Sequence, residues 1–258
     1  MSNSCLFCGA KGAGILTNEH VIPRWLLEHL GLPEDDQLFQ GVASSATEIL
    51  VKQPRIHSSF NFVQGRVCEN CNTGWMSRLE GSAKPILVPL IEKDRTIDSL
   101  SPEEADIVAK WASKTAYMHS WTSPLKQPVQ LDHLKTLCGD GGKPVSGVAV
   151  FGMQSNFKKP SAYYQRRHWP QFCKPEIEVP AESPEEAYKI GLQFRHLYLL
   201  VALWPNTEFA FTRVLGTHLP VFPRPADPQP VCLKYLGLGN GLIDQLAEFC
   251  NWLAITHR

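Results

Sequence analysis

The sequence predicts an α+β fold, because capped helix starts and strand-like apolar runs occur in the same half of the chain. The letters SPEE at residues 101–104 are a strong helix start, with a serine N-cap, a proline in the first turn and acids at the positive end of the helix dipole. The letters SGVAVFGM at residues 146–153 are typical of a strand. With 258 residues, 43% of them hydrophobic, the chain is long enough for two domains with proper cores.

The first predicted domain covers residues 1–82 and contains two Cys-x-x-Cys pairs. Pro23 is well placed as the first residue of a helix, and Gly31 as its end. Trp75, Met76 and Leu79 are spaced to share one buried helix face. The predicted elements, in order, are a Gly-rich turn at 5–14, a strand within 15–22, a helix at 24–30, a turn-rich insertion at 33–64 with a short strand at 48–51, and a helix at 69–80.

The second predicted domain covers residues 95–258 and is α+β, with a role in recognising a substrate or a partner. Its first helix follows the SPEE start and carries an apolar stripe toward the core. A second SPEE start lies at residues 183–186. Further predicted elements are strands at 193–204 and 208–215, paired with each other as an antiparallel couple, and a final amphipathic helix at 239–257.

Charge and apolar run lengths limit the class of protein. The chain has 25 lysines and arginines together and 25 aspartates and glutamates together, so its net charge is zero. The net charge therefore gives no support for tight non-specific binding to nucleic acid. Residues 1–8 lack the apolar core of a secretory signal, and the longest apolar run, LYLLVALW at 197–204, is too short to span a bilayer. We therefore expect a soluble cytoplasmic protein without a membrane partner.

The cysteines divide into two groups. Cys5 and Cys8 form one Cys-x-x-Cys pair and Cys68 and Cys71 another, and in a reducing compartment two such pairs predict one tetrahedral structural zinc site. Four thiolates leave no open coordination position, so this metal would not be catalytic. A redox role for one pair, or two unrelated pairs, is the alternative. The remaining cysteines are interpreted as small buried hydrophobic residues: Cys138, Cys173, Cys232 and Cys250.

Candidate catalytic groups lie beside these pairs. Glu19 and His20 are adjacent, and Asn72 directly follows Cys71. Carboxylate and amide oxygens suit Mg²⁺ or Mn²⁺, and a neutral imidazole is a general base near pH 7. The alternatives are a surface carboxylate, an ordinary hydrogen-bonded histidine and a helix-capping asparagine.

The series Cys-x-x-Cys, Glu-His-x-x-Pro, Cys-x-x-Cys-Asn resembles the HNH (His-Me finger, ββα-metal) endonucleases, in the branch with a zinc knuckle. The resemblance covers about a third of the chain. It implies a zinc-stapled ββα-metal module in residues 1–82, with His20 as general base and Glu19 and Asn72 as ligands of a catalytic divalent ion. Asn61 is the nearest match to the family's middle asparagine, although it lies slightly too far upstream.

Two positions depart from the family pattern. Met76 stands where many members have a further histidine or asparagine one turn along the helix, and the stretch between His20 and Asn72 is longer than usual. Both departures leave altered or lost activity as an alternative. The resemblance also implies a role in defence or mobile elements, and cleavage of a phosphodiester by water that His20 activates.

Nucleic acid, with DNA as the first choice, is the expected partner. Arg24 follows Pro23 and could reach a phosphate oxygen, or form a surface ion pair instead. The letters NFKKPSAYYQRRHWPQFCK at residues 156–174 interleave aromatic residues with bases and contain no acid. The alternative for this stretch is a strand with inward aromatics and solvated bases. The basic residues proposed to bind nucleic acid here are Lys158, Lys159, Arg166 and Arg167.

Three hypotheses therefore follow from the sequence. The first is a metal-dependent HNH endonuclease with a C-terminal domain that recognises substrate or a protein partner. The second is a zinc-stabilised module that binds nucleic acid or protein without catalysis, which Met76 and the neutral charge favour. The third is a toxin-like nuclease that acts on RNA.

Overall fold

The structure is a computed structural model that describes the greater part of the chain. Main-chain positions are described for residues 4–12, 14–34, 37–38, 42–43, 49–50, 57–123, 128–166, 186–205, 209–213, 219–222, 250 and 253–257. Side chains are described within this set except at residues 37–57, 157–166, 209–220, 222 and 253–257.

A strand–strand–helix unit forms the N-terminal part. Strand β1 (Leu16–His20) follows the cysteine turn, and helix α1 (Arg24–His29) begins directly after Pro23, as predicted. Strand β6 (Val63–Cys68) pairs antiparallel with β1, with an irregular register between Thr17 and Glu19. The chain then enters a wide helical segment, Asn70–Met76, which is kinked at Gly74. Helix α2 (Ser77–Glu92) continues from it, ten residues beyond the end of the predicted first domain.

The insertion between β1 and β6 contains short paired strands. Strand β2 pairs with β5 and β3 with β4, each pair antiparallel. The predicted strand at 48–51 corresponds to β4. The bounds are β2 (Gln37–Leu38), β3 (Val42–Ala43), β4 (Ile49–Leu50) and β5 (His57–Ser58), followed by a 3₁₀ turn at Ser59–Asn61.

The C-terminal part is built on one long helix and a three-stranded sheet. Helix α3 (Pro102–Thr122) starts at a capping box, in which the Ser101 hydroxyl accepts from the Glu104 amide and the Glu104 carboxylate accepts from the Ser101 amide. Its sides are buried almost all round, because α2 and β8 pack against it. The sheet has the order β10-β7-β8. The remaining bounds are α4 (Leu131–Thr136), β7 (Val148–Arg166), β8 (Tyr188–Leu203), β9 (Phe209–Arg213), β10 (Leu219–Phe222) and β11 (Leu253–His257), with a 3₁₀ turn at Ile97–Ser99.

The buried side chains of both parts join in one hydrophobic core. It runs from Leu6 and Phe7 beside the cysteine turn, through Trp75 on the helical segment and Trp111 on α3, to Val201 on β8. Trp75, Met76 and Leu79 are all buried, as predicted. The chain is therefore a mixed helix and strand protein of the α+β class, in which the N-terminal unit rests on the C-terminal helix and sheet.

Two predicted elements are wrong. The strand at 193–204 belongs to β8, but its partner is β7 and not the following strand, because β8 is long and buried and β7 is the strand of matching length. Strand β9 instead pairs with β11, so residues 253–257 form a strand and not the end of a helix. The β-branched Ile255 and Thr256 suit that pairing. Residues 239–249 and 183–185 lie outside the described part of the chain.

Candidate functional site

The two cysteine pairs meet at one point. Cys5 and Cys8 lie on the turn before β1, Cys68 is the last residue of β6 and Cys71 lies in the first turn of the helical segment. Their four sulfur atoms all lie within 4.8 Å of one another, and Cys8 Sγ is 3.5 Å from Cys68 Sγ. A tetrahedral zinc with Zn–S bonds of about 2.3 Å needs sulfurs about 3.8 Å apart. The cluster could therefore hold a metal ion such as zinc.

The turn that carries the first pair is fixed by its backbone. Gly9 adopts φ of 75°, a left-handed conformation that glycine adopts without strain, and its amide donates to the Cys5 carbonyl at 3.0 Å. The amide of Leu6 donates to the carbonyl of Arg66 on β6 at 2.9 Å. The turn is thus attached to the strand that ends in Cys68, which brings the two pairs together although about sixty residues separate them.

Hydrogen bonds to sulfur favour thiolate character in the cluster. The Cys71 thiol, and then the backbone amides of Cys8, Cys68 and Phe7, lower the pKa of Cys5 to about 4. Burial raises the pKa of Cys8 to about 11, and hydrogen bonding to Cys5 raises that of Cys71. The thiolate form is therefore favoured at Cys5 and disfavoured at Cys8 and Cys71. A divalent metal would allow all four sulfurs to ionise, so the donor set fits zinc.

The other cysteines divide as follows. Cys250 is buried, in agreement with its predicted role as a small hydrophobic residue, whereas Cys138 is partly exposed. Burial raises the pKa of the Cys138 thiol. Cys173 and Cys232 lie outside the described residues.

Glu19 and His20 occupy the last two positions of β1. Glu19 lies opposite Gln64 and His20 opposite Val63 on β6. His20 is partly exposed, and its imidazole makes no hydrogen bond or ion pair to any described residue. The imidazole is therefore open to water or to a ligand, and no described side chain orients it.

Glu19 is paired with a lysine of the second half of the chain. Lys114 on α3 donates through Nζ to Glu19 Oε1 at 3.0 Å and to Glu80 Oε1 at 2.9 Å. The lysine side chain is 0% exposed and each carboxylate 14% exposed. Burial by itself lowers the pKa of Lys114, but the nearby Glu80 and Glu19 charges raise it above its ordinary value, so the lysine is a cation.

Glu80 is the centre of this buried network. Its Oε2 accepts from the indole of Trp25 on α1 at 2.8 Å and from that of Trp111 on α3 at 3.0 Å. Together with Lys114, three donors hold this carboxylate. The network thus links β1, α1, α2 and α3 through polar groups that are satisfied inside the protein.

Asn72 points toward β1 from the helical segment. Its Nδ2 donates to Thr17 Oγ1 at 3.0 Å, and that hydroxyl donates to the Val67 carbonyl at 3.1 Å. Thr17 and Glu19 are two residues apart on β1, and the irregular register against β6 falls between them. Neither Asn72 Oδ1 nor Glu19 Oε2 has a hydrogen-bond partner among the described residues.

The remaining predicted site residues make no described contact with Glu19, His20 or Asn72. Asn61 is exposed, in the turn two residues before Val63, and makes no side-chain hydrogen bond within the described residues. Arg24 donates to Glu28 at 2.9 Å in an exposed ion pair, the alternative noted from sequence. The basic stretch is placed only in part: Lys158, Lys159 and Arg166 belong to β7 but their side chains lie outside the described part, and Arg167 lies wholly outside it.

Sequence reasoning missed Lys114, Glu80 and Thr17. A signal for Lys114 was present, because it lies three residues after Trp111 and four before Met118 on the apolar stripe of α3. A lysine on such a stripe requires a buried acidic partner. The sequence contains no indication that this partner lies 95 positions away on β1.

Family models, curated proteins and solved structures were compared with the chain, and none of them matches it. Among the described helices, none combines the length and apolar character needed to cross a membrane.

Proposed function

We propose that this chain is a metal-dependent endonuclease of the HNH type that hydrolyses phosphodiester bonds in nucleic acid, with DNA as the first substrate to test. One observation carries the proposal. Asn72, on a helical segment attached to the cysteine cluster, contacts the strand that ends in Glu19 and His20. Asn72 Oδ1 and Glu19 Oε2 have no hydrogen-bond partner among the described residues. Amide and carboxylate oxygens are the hard ligands that Mg²⁺ prefers.

The roles of the residues follow from their chemistry. Glu19 Oε2 and Asn72 Oδ1 would hold Mg²⁺ or Mn²⁺, and the bound ion would supply positive charge for the pentacoordinate phosphorus and the leaving oxygen. His20 takes a proton from a water molecule as that water attacks phosphorus. The bond from phosphorus to the 3′ oxygen breaks, and that oxygen takes a proton from solvent water, which leaves a 5′ phosphate and a 3′ hydroxyl. The Cys5, Cys8, Cys68 and Cys71 cluster, with structural zinc, would fix the helical segment against the hairpin.

The experiment is plasmid nicking in Mg²⁺ or Mn²⁺ by the zinc-loaded full chain, its His20→Ala variant and a His29→Gln control. His29 is a second histidine of the same module, bound to Glu92 at 2.8 Å and not on β1. Loss of the general base is expected to slow cleavage by about 10²-fold or more, whereas His29→Gln stays within a few-fold. Equal nicking by wild type and His20→Ala would remove His20 from the mechanism.

A second candidate function is a zinc-stabilised module that binds nucleic acid or protein without cleaving it. The ion pair between Glu19 and Lys114 favours it, because a carboxylate held by a buried lysine has an evident structural role. Met76 is buried at the helix position where a further metal ligand would be expected, and this also favours a module without catalysis. Binding of a DNA duplex by wild type, with no nicking in either metal, supports this candidate over the first. The C-terminal half is then the proposed surface for a protein partner.

A further inference from the structure

The ammonium of Lys114 is a cation built into the proposed metal site. It lies 3.0 Å from one oxygen of Glu19 and 2.9 Å from one oxygen of Glu80, and it is completely buried. The ammonium of Lys114 therefore already balances part of the negative charge that Glu19 could offer to a divalent ion.

Glu80 does not restore the missing negative charge. Its second oxygen accepts from the two indole groups of Trp25 and Trp111, and its first from Lys114. Both oxygens are thus engaged inside the core. The two oxygens of the proposed site without a hydrogen-bond partner among the described residues are Glu19 Oε2 and the neutral Asn72 Oδ1.

Such a site is short of negative charge. Two cations a few ångströms apart repel each other, and the repulsion is strong where burial excludes water. Magnesium sites in phosphoryl-transfer enzymes combine one or two protein carboxylates with oxygens of the substrate phosphate. A phosphodiester would supply both the missing charge and a further oxygen ligand.

We propose that Lys114 keeps the divalent ion affinity of the free protein low, so that the ion binds together with the phosphate of the nucleic acid. The inference rests on the proposed function, in which Glu19 is a metal ligand. Lys114 acts through Glu19 and is a positioning residue. By linkage, the ion then strengthens binding of nucleic acid by the same factor by which nucleic acid strengthens binding of the ion.

The first test measures Mn²⁺ binding by electron paramagnetic resonance on the zinc-loaded full chain without nucleic acid. In the double variant Lys114→Met with Glu80→Gln, the ammonium and one of its two carboxylate partners are both removed, and the Glu19 carboxylate, whose side chain is 14% exposed, is the charge that remains. We expect this variant to bind Mn²⁺ at least ten-fold more tightly than wild type. Glu80→Gln alone, which retains the ammonium, is expected to bind no more tightly than wild type.

Lys110→Met provides a matched control for loss of a lysine charge. Lys110 lies one turn earlier on α3, bonds the carbonyls of Gly139 and Asp140, and has no bond to Glu19. The Lys110→Met variant is expected to bind Mn²⁺ with the same affinity as wild type. A double variant that binds Mn²⁺ no more tightly than wild type overturns the inference, since a merely structural role for Lys114 predicts no gain.

A second test needs no change at Lys114. In His20→Ala, which is expected to leave DNA uncut, Mn²⁺ is titrated with and without a short DNA duplex. At least ten-fold tighter Mn²⁺ binding with the duplex supports the inference, and equal binding overturns it.

Failure of the proposed function gives a different result. If Glu19→Gln in the His20→Ala background binds Mn²⁺ as His20→Ala alone does, both with and without the duplex, Glu19 is not a ligand and the proposed site is wrong. If Glu19→Gln loses Mn²⁺ while the double variant shows no gain, the site stands and only the role of Lys114 is wrong.

Discussion

The side-chain amide of Asn72 donates a 3.0 Å hydrogen bond to the hydroxyl of Thr17. This bond joins the helical segment that begins at the cysteine cluster to the strand that ends in Glu19 and His20. It also determines which atom of Asn72 remains for a ligand, because Nδ2 is hydrogen bonded and Oδ1 has no partner in the described part of the chain. Thr17 is therefore the residue through which the position of Asn72 can be changed without altering Asn72 itself.

Thr17→Val is expected to lower the free energy of unfolding by about 1 to 2 kcal/mol, since it removes the acceptor for Asn72 and the donor to the Val67 carbonyl. Nicking should fall as well, because Asn72 loses its anchor. Thr73→Val is the control, as that hydroxyl bonds the Glu69 carbonyl on the exposed surface, and it should change stability by no more than about 0.5 kcal/mol. Urea unfolding measures both, and a Thr17→Val chain as stable as wild type contradicts the hydrogen bond.

Cys68→Ser is expected to lose bound zinc and with it the folded N-terminal unit, because the sulfur of Cys68 is one of four that converge and metal binding supplies folding free energy. Native mass spectrometry and circular dichroism measure the two effects. Cys138→Ser is the matched control, since Cys138 is not among the four clustered sulfurs. It should retain zinc. Zinc retained by Cys68→Ser at the wild-type level would show that the cluster does not bind the metal.

Glu80→Ala is expected to destabilise the protein by about 3 kcal/mol or more, because it removes the acceptor of the partly buried Trp25 and the buried Trp111 indole N–H groups and one of the two carboxylates that balance Lys114. Glu28→Ala, which removes an exposed partner of Arg24, is expected to cost less than about 1 kcal/mol. Chemical denaturation in excess zinc measures both. Similar losses in the two variants are incompatible with a central role for Glu80.

His119→Gln is expected to make the protein less sensitive to mild acid. Burial lowers the pKa of His119 to about 3, whereas the unfolded chain binds this proton below about 6.5. The depressed pKa means that protons favour the unfolded state, so His119 reduces stability as pH falls from 6.5 toward 3.

Between pH 6 and 5, wild type should lose about 1 kcal/mol more than His119→Gln. Urea unfolding at both pH values measures this difference, in which any acid effect on the cysteine cluster cancels. Parallel losses in the two proteins would mean that His119 is protonated in the folded state.

The sequence was sufficient for features whose cause is local. The SPEE letters at 101–104 placed the start of α3 because a cap needs only neighbouring residues. Pro23 placed the start of α1 for the same reason. The two Cys-x-x-Cys pairs indicated their own convergence, since each pair fixes two sulfurs on one turn and a reducing compartment leaves metal binding as the common role.

Strand partners and buried ion pairs depended on contacts that no local pattern encodes. The spacing around residues 205–206 suggested a hairpin, but β8 found a partner of matching length in β7 and β9 paired with β11. In the same way Glu19 was readable as an acid beside a histidine, but not as the partner of Lys114 on a helix of the other half.

The sequence by itself thus determined the α+β class, the helix starts and the four cysteines that gather at one point. The tertiary structure alone decided that Thr17 holds Asn72 and that a completely buried lysine holds Glu19. The physical reason is the range of the forces involved: caps and turns are satisfied within a few residues, whereas a buried charge must be balanced by whichever opposite charge the packed elements bring within about 3 Å.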